Sequence, residues 1–116
     1  MDNAEFYKAG YIITVMYPSQ FRTGFADWLY DNVDIAQAFE AEALAVAATG
    51  RKRYSAYTII EYLRHWTFLR EASSEFKLDQ NWGSSLARLF IHMHPDLSGF
   101  MPHKNERRGR VAPLRF

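Results

Sequence analysis

Residues 50–70 constrain the fold more than any other stretch, because they combine a helix stop, a helix start and a regular apolar stripe. Gly50 can adopt a positive φ without a side-chain clash, which suits the end of a preceding helix. Ser55 can accept a hydrogen bond from a first-turn N–H of the helix that follows. The apolar residues after Ser55 recur at helical spacing: Ala56, Ile59, Ile60 and Leu63. This pattern predicts a helix over residues 55–70 with one face in the core.

Three further stretches carry helical signals. Asp34 can cap an Ala-rich helix that runs from Ile35 to about Ala48. A shorter helix is indicated by aromatic and apolar residues at helical spacing, namely Phe21, Phe25, Trp28 and Leu29. A last stripe ends before Pro95, which breaks helices, and it consists of Leu86, Leu89, Phe90 and Met93.

These signals predict a mainly α-helical, single compact domain of four or five helices, with one possible short β element near the N-terminus. The chain has 116 residues, the usual size of one domain, and its apolar content of 48% is too high for a disordered chain. We divide it into an N-terminal strand or helix segment (1–33), a helical core (34–101) and a basic tail (102–116).

Residues 11–17 are the candidate for the β element. They are β-branched and aromatic and lie between Gly10 and Pro18, which is typical of a short strand. A lone strand needs a neighbour, either a weak strand near residues 76–78 or a second copy of the chain. A helix remains the alternative, because a short apolar run does not distinguish the two.

Charge is divided unevenly along the chain. Residues 1–50 contain two basic residues (Lys or Arg) and seven acidic residues (Asp or Glu), which gives a net charge of −5. Residues 51–116 contain twelve basic and six acidic residues, which gives a net charge of +6. The acidic N-terminus is unlike a signal peptide, and no apolar run approaches the roughly 18 residues needed to span a bilayer. We therefore expect a cytoplasmic protein that does not insert into membranes.

No residue pattern predicts catalysis, a cofactor or a metal site. The chain lacks cysteine, which excludes disulfides, thiolate zinc sites and Cys nucleophiles. His92 and His94 would point to different sides of a helix and would not share a metal there. The segment that begins at Asp79 lacks the Gly and Glu of a calcium loop at their required positions. We expect a protein that is not an enzyme, with no cofactor and no metal.

Residues 36–101 carry a recognisable pattern. Ser55-Ala56-Tyr57-Thr58-Ile59-Ile60-Glu61-Tyr62-Leu63-Arg64 is followed by Phe76-Lys77-Leu78, Leu86-Ala87-Arg88-Leu89-Phe90 and His94-Pro95 with Gly99-Phe100. This pattern resembles small, mostly uncharacterised proteins of bacteriophages and prophages, although Trp82 and Met101 depart from it. The resemblance implies a mobile-element origin, and therefore a role in DNA transactions or in antagonism of host defence. If so, the protein would act in the cytoplasm of the host cell.

The basic second half predicts nucleic-acid binding. Its Lys and Arg side chains could neutralise phosphates, and exposed rings could stack on bases. The candidate residues are Arg51, Lys52, Arg53, Tyr57, Lys77, Trp82, Arg88, Arg107, Arg108 and Arg110. A sequence pI near 8.0 is lower than expected for a dedicated binder.

The acidic first half supports a rival function. Carboxylates on helix faces could mimic phosphates and occupy the nucleic-acid groove of a host protein complex, as an anti-CRISPR-like inhibitor would. The candidate residues are Asp27, Asp31, Asp34, Glu40 and Glu42. A third possibility is a homo-oligomer that is joined through residues 11–17 or through its opposite charges.

Overall fold

The described part of the chain is mainly helical, and short connections join its first four α-helices. A computed structural model describes residues 1–70, 82–97, 99 and 101, except for the side chains of residues 66–70. The described α-helices are α1 (Asn3–Met16), α2 (Phe25–Asp31), α3 (Val33–Ala48), α4 (Ala56–Arg70) and α5 (Gly83–Met93). Two short 3-10 helices cover Pro18–Gln20 and Pro95–Leu97. The predicted single compact domain of mainly α structure is confirmed, and no strand occurs in the described residues.

The strand predicted for residues 11–17 is wrong, and the helical alternative is confirmed up to Met16. The reason lies upstream, where Asp2 and Glu5 form a capping box. The Asp2 side chain accepts from the Glu5 N–H at 2.8 Å, and the Glu5 side chain accepts from the Asp2 N–H at 3.3 Å. This box satisfies N–H groups that a helix start leaves without partners. Once begun, α1 continues through the β-branched run, because tertiary packing outweighs weak local propensity.

The second helix begins later than the spacing predicted. Gly24 has a φ of +88° and occupies the N-cap position, so α2 starts at Phe25. Phe21 stays in the preceding loop, where its ring stacks on Phe25 with centroids 5.4 Å apart. Gly24, a poor helix former, therefore lies at the start of α2 and not inside the helix.

The predicted boundary signals around α3 and α4 are largely confirmed. Asn32 rather than Asp34 precedes α3, so this helix starts two residues earlier than Ile35. Gly50 has a φ of +89° just after α3. The Ser55 hydroxyl accepts from the N–H groups of Tyr57 and Thr58, at 3.1 and 3.4 Å. The predicted core stripe of α4 is buried: Ala56, Ile59, Ile60 and Leu63.

Helix α5 lies at the centre of the molecule and packs against α1, α3 and α4. Its residues 85–91 are all buried, including the polar Ser85 and Arg88. A helix that is covered on nearly every side is the element around which the other helices are arranged. The largest buried side chains from the other helices include Phe6, Phe25, Leu29, Phe39 and Ile59.

Polar side chains of α5 hold the connection between α1 and α2, which spans residues 17–24. The Ser85 hydroxyl accepts from the Arg22 N–H at 2.9 Å, and the Arg88 guanidinium donates to the Gln20 carbonyl at 3.0 Å. One turn further on, His92 Nε2 lies 2.9 Å from the Gln20 side-chain oxygen. Because Ser85, Arg88 and His92 follow one side of α5, they fix the connection along two helical turns.

Gly10 permits the close approach of α1 and α2. A Cβ atom there would lie 2.7 Å from Cδ2 of Leu29 and 3.7 Å from Cδ2 of Leu89. Leu29 is fully buried, so it cannot move away without disturbing the core.

We expect Gly10→Ala to lower the free energy of unfolding by about 1 kcal/mol. The gain in helix propensity is about 1 kcal/mol, and overpacking costs about 1–3 kcal/mol. Gly99→Ala is the matched control, because no atom lies within 4 Å of the added Cβ. Urea denaturation of both variants measures the difference. A Gly10→Ala variant more stable than the parent would show that the α1–α2 approach is not tight.

The second prediction concerns acid stability. Burial lowers the pKa of His92 from 6.5 to about 4. The unfolded chain therefore binds a proton at a higher pH than the folded chain, and the contribution of His92 to stability is lost as the pH falls from 6.5 towards 4. In His92→Gln, which keeps a neutral donor, we expect a smaller loss of thermal stability between these pH values. His65→Gln removes an exposed histidine from α4 and serves as the control. Equal pH slopes in both variants would contradict the assignment.

Candidate nucleic-acid interface

The basic loop, defined here as Arg51, Lys52 and Arg53, lies exposed between α3 and α4. Both of its boundaries are fixed by local hydrogen bonds. On the α3 side, the Gly50 N–H donates to the Ala47 carbonyl at 3.0 Å. On the α4 side, Ser55 caps the helix. The sequence therefore places three consecutive cations on a short and anchored connection.

Internal contacts orient the first cation of the basic loop. The Arg51 guanidinium lies over the Tyr54 ring, 5.1 Å from its centroid, and its Nε donates to the Arg53 carbonyl at 3.0 Å. Tyr54 is half-buried and packs against the core cluster. Because Tyr54 is covered by Arg51 on one side and by the core on another, it is less suited to base stacking than an exposed ring.

The charges of the basic loop are not neutralised within the described part of the chain. No carboxylate among these residues forms a salt bridge with Arg51, Lys52 or Arg53. The positive end of the α4 dipole lies beside them and adds to their repulsion. Ser55 already occupies the N–H groups of Tyr57 and Thr58, so side chains rather than these backbone donors would have to hold an anion.

Helix α4 extends this surface with one exposed aromatic ring. Tyr57, in the first turn, is 56% exposed. One turn further on, Glu61 and Arg64 lie 3.5 Å apart and form an exposed ion pair. Glu61 would repel phosphates, so the surface best suited to a polyanion ends near Tyr57.

Arg88 does not lie on this surface, contrary to the sequence prediction. It is only 9% exposed, and its guanidinium donates to the Gln20 carbonyl. Its role is structural, because it holds the connection between α1 and α2 against α5. No local sequence signal indicates this contact, since Gln20 lies 68 positions away.

Trp82 is also engaged inside the molecule. Its ring stacks on Trp28, with centroids 5.3 Å apart. The guanidinium of Arg22, which lies in the connection between α1 and α2, is 4.4 Å from the centroid of the Trp82 ring. The half-buried Trp82 is therefore not a free platform for a base. The Trp28 indole N–H is buried and has no acceptor among the described residues.

The remaining basic candidates lie outside the described residues: Lys77, Arg107, Arg108 and Arg110. Three further cations are exposed among the described residues and were not among the predicted candidates: Lys8, Arg22 and Arg64. Arg64 could have been found, because it follows Tyr57 by seven positions and so shares its helix face. No local signal distinguishes Arg22, whose contact with Trp82 is long-range.

The acidic candidates divide into two groups. Asp27, Asp31 and Asp34 are exposed on α2 and on the first turn of α3. Glu40 is half-buried and lies 2.8 Å from His94 Nε2, so it joins α3 to the end of α5. Glu42 is half-buried as well. Of the five predicted carboxylates, the three aspartates are thus the most accessible to a partner.

Two further observations bear on the kind of protein. No group of three His, Asp or Glu side chains in the described ranges could hold a metal ion. No helix there is both long enough and apolar enough to cross a membrane. Comparison with known proteins finds no matching family model, curated protein or solved structure.

The different positions of Arg88 and Arg53 lead to a paired prediction. Arg88→Met should lower the free energy of unfolding by about 1–3 kcal/mol, because the Gln20 carbonyl loses its donor. It should leave DNA affinity unchanged under conditions in which the variant is folded. Arg53→Met should change stability by no more than about 0.5 kcal/mol but weaken DNA binding. Urea denaturation and fluorescence anisotropy measure the two properties, and the reverse pattern would place the phosphate contact at Arg88.

Proposed function

We propose that this chain is a small non-enzymatic protein that binds nucleic acid through the backbone phosphates. The basic loop would provide the phosphate contacts, and Tyr57 would stack on a neighbouring base or sugar. The observation that carries the proposal is the run of three exposed cations beside an exposed ring, with no ion-pair partner among the described carboxylates. Phosphates are the biological groups that most readily neutralise such a cluster.

Stability of the fold does not account for the basic loop. Three adjacent like charges near a helix N-terminus repel one another and the helix dipole. The same connection with uncharged polar residues would join α3 to α4 at a smaller electrostatic cost. A polyanion would turn this unfavourable electrostatic arrangement into an attractive one.

The origin of the protein is part of this proposal. Residues 36–101 resemble small bacteriophage and prophage proteins, and a mobile-element protein would act on DNA in the cytoplasm of its host. The basic loop and Tyr57 both fall within that segment. The resemblance supports a DNA transaction as the setting but does not specify a DNA sequence.

The proposal predicts a definite salt dependence. If the three cations of the basic loop each contact one phosphate, the slope of log K against log salt is roughly −2.7 for duplex DNA. Affinity should then fall about 40-fold between 50 and 200 mM salt. A larger fall would indicate further phosphate contacts, such as those predicted for Arg107, Arg108 and Arg110.

Fluorescence anisotropy with short labelled single- and double-stranded DNA tests this proposal. Replacing Arg51, Lys52 and Arg53 together by Gln should abolish binding. The single variant Arg53→Gln should reduce the salt slope by about 0.9. Lys8→Gln is the matched control, because it removes one exposed cation from α1 and should leave the slope unchanged. Absence of binding to either DNA at 50 mM salt would refute the proposal.

An alternative function is favoured by the three exposed aspartates on α2 and α3. Asp27, Asp31 and Asp34 could mimic phosphates and dock on a host defence complex, as an anti-CRISPR-like inhibitor would. Replacing all three by Asn should then abolish inhibition of that complex and leave DNA binding intact. Under the nucleic-acid proposal, the same variant should bind DNA at least as tightly as the parent.

A further inference from the structure

The second half of α1 carries an apolar surface that the rest of the described chain leaves uncovered. Four side chains on its outward face are about half exposed or more: Tyr11 (46%), Ile12 (48%), Val15 (58%) and Met16 (62%). The inward face of the same helix is buried through Phe6, Gly10 and Thr14. The last two turns of α1 are thus apolar on the outside, although their inward face includes the polar Thr14.

Aromatic rings extend this surface onto α2. Tyr7 lies between Tyr11 and Tyr30, with ring centroids 5.9 and 5.3 Å from theirs. Tyr30 is 69% exposed. We call this surface the α1 patch, which consists of Tyr11, Ile12, Val15, Met16 and Tyr30. Tyr17 follows Met16 but does not belong to the patch, because its ring lies against His92 with centroids 4.4 Å apart.

We propose that the α1 patch binds the α1 patch of a second copy, so that two chains form a symmetric dimer through antiparallel α1 helices. The exposed area is on the order of 600 Å² per copy, at or above the largest apolar patch of a typical monomer. Pairing two patches would bury about 1,200 Å², the lower end of the range for specific protein–protein interfaces. This inference goes beyond the proposed nucleic-acid binding and does not depend on it.

The α1 patch is complementary to itself in an antiparallel arrangement. A two-fold axis midway between Ile12 and Val15 places Ile12 of one copy against Val15 of the other. The same axis places Tyr11 against Met16, a favourable contact between an aromatic ring and a thioether. Each of these four side chains therefore meets an apolar or aromatic neighbour, and no two charged groups face each other within them.

Charge does not oppose this pairing. The nearest cation on the outward face of α1 is Lys8, one turn before the patch. In the antiparallel pair the two Lys8 residues lie about 17 Å apart along the helix axis. This separation exceeds the Debye length of about 10 Å at 0.1 M salt, so their repulsion is largely screened.

Sedimentation equilibrium of the full chain without DNA, from about 1 to 200 µM, tests the proposal. An interface of this size predicts a dimer with a dissociation constant in the micromolar range. Val15→Glu should raise that constant at least tenfold while leaving the fold intact, because Val15 is largely exposed. Tyr62→Glu changes an apolar side chain of similar exposure on α4 and should leave dimerisation unchanged.

A charge-pairing experiment tests the register. Ile12→Glu and Val15→Lys should each be monomeric alone, and a mixture of the two should form a heterodimer through the new opposite charges. Failure of the mixture to associate would refute the antiparallel register.

A parent chain that is monomeric at 200 µM would overturn the dimer. If Val15→Glu then lowered the melting temperature of that monomer, another segment of the same chain would be the occupant of the patch. If it left the melting temperature unchanged, the patch would be uncovered in the free protein. DNA binding by such a monomer would leave the proposed function unaffected.

Discussion

The fold depends on the hydrogen bonds between the polar side of α5 and the connection between α1 and α2. Helix α5 is buried on nearly every side, yet Ser85, Arg88 and His92 are polar. Such groups destabilise a core unless they find partners, and residues 20–22 supply those partners. A shift of the connection would therefore break these hydrogen bonds to α5. Through it, α1 and α2 are fixed against the central helix.

The sequence predicts those parts of the fold that depend on neighbouring residues. Gly50 and Ser55 mark a helix end and a helix start correctly, since each acts within one turn of itself. The pattern of residues 11–17 does not distinguish a strand from a helix, because helical periodicity is visible only when the exposed face is polar and the buried face is apolar. In α1 the exposed face is apolar there and the polar Thr14 is buried, so this contrast is missing.

The candidate site was predictable to the same extent. The basic loop could be placed at the surface from sequence, because it lies between two helices and contains only charged residues. Arg88 and Trp82 could not be placed, since their partners Gln20 and Trp28 are distant in the chain. From sequence alone, an arginine on a helix is predicted to lie at the surface, because its carbonyl acceptor is not apparent from neighbouring residues. Long-range pairing therefore determines which cations of the basic half remain available to a ligand.

Two surfaces remain that the described fold does not explain, and they differ in physical character. The basic loop repels itself and gains from a polyanion, an interaction that salt weakens. The α1 patch loses free energy in contact with water and gains from an apolar partner, an interaction that salt does not weaken and that sulfate strengthens. Salt therefore acts on the two surfaces differently, and each can be studied while the other is suppressed.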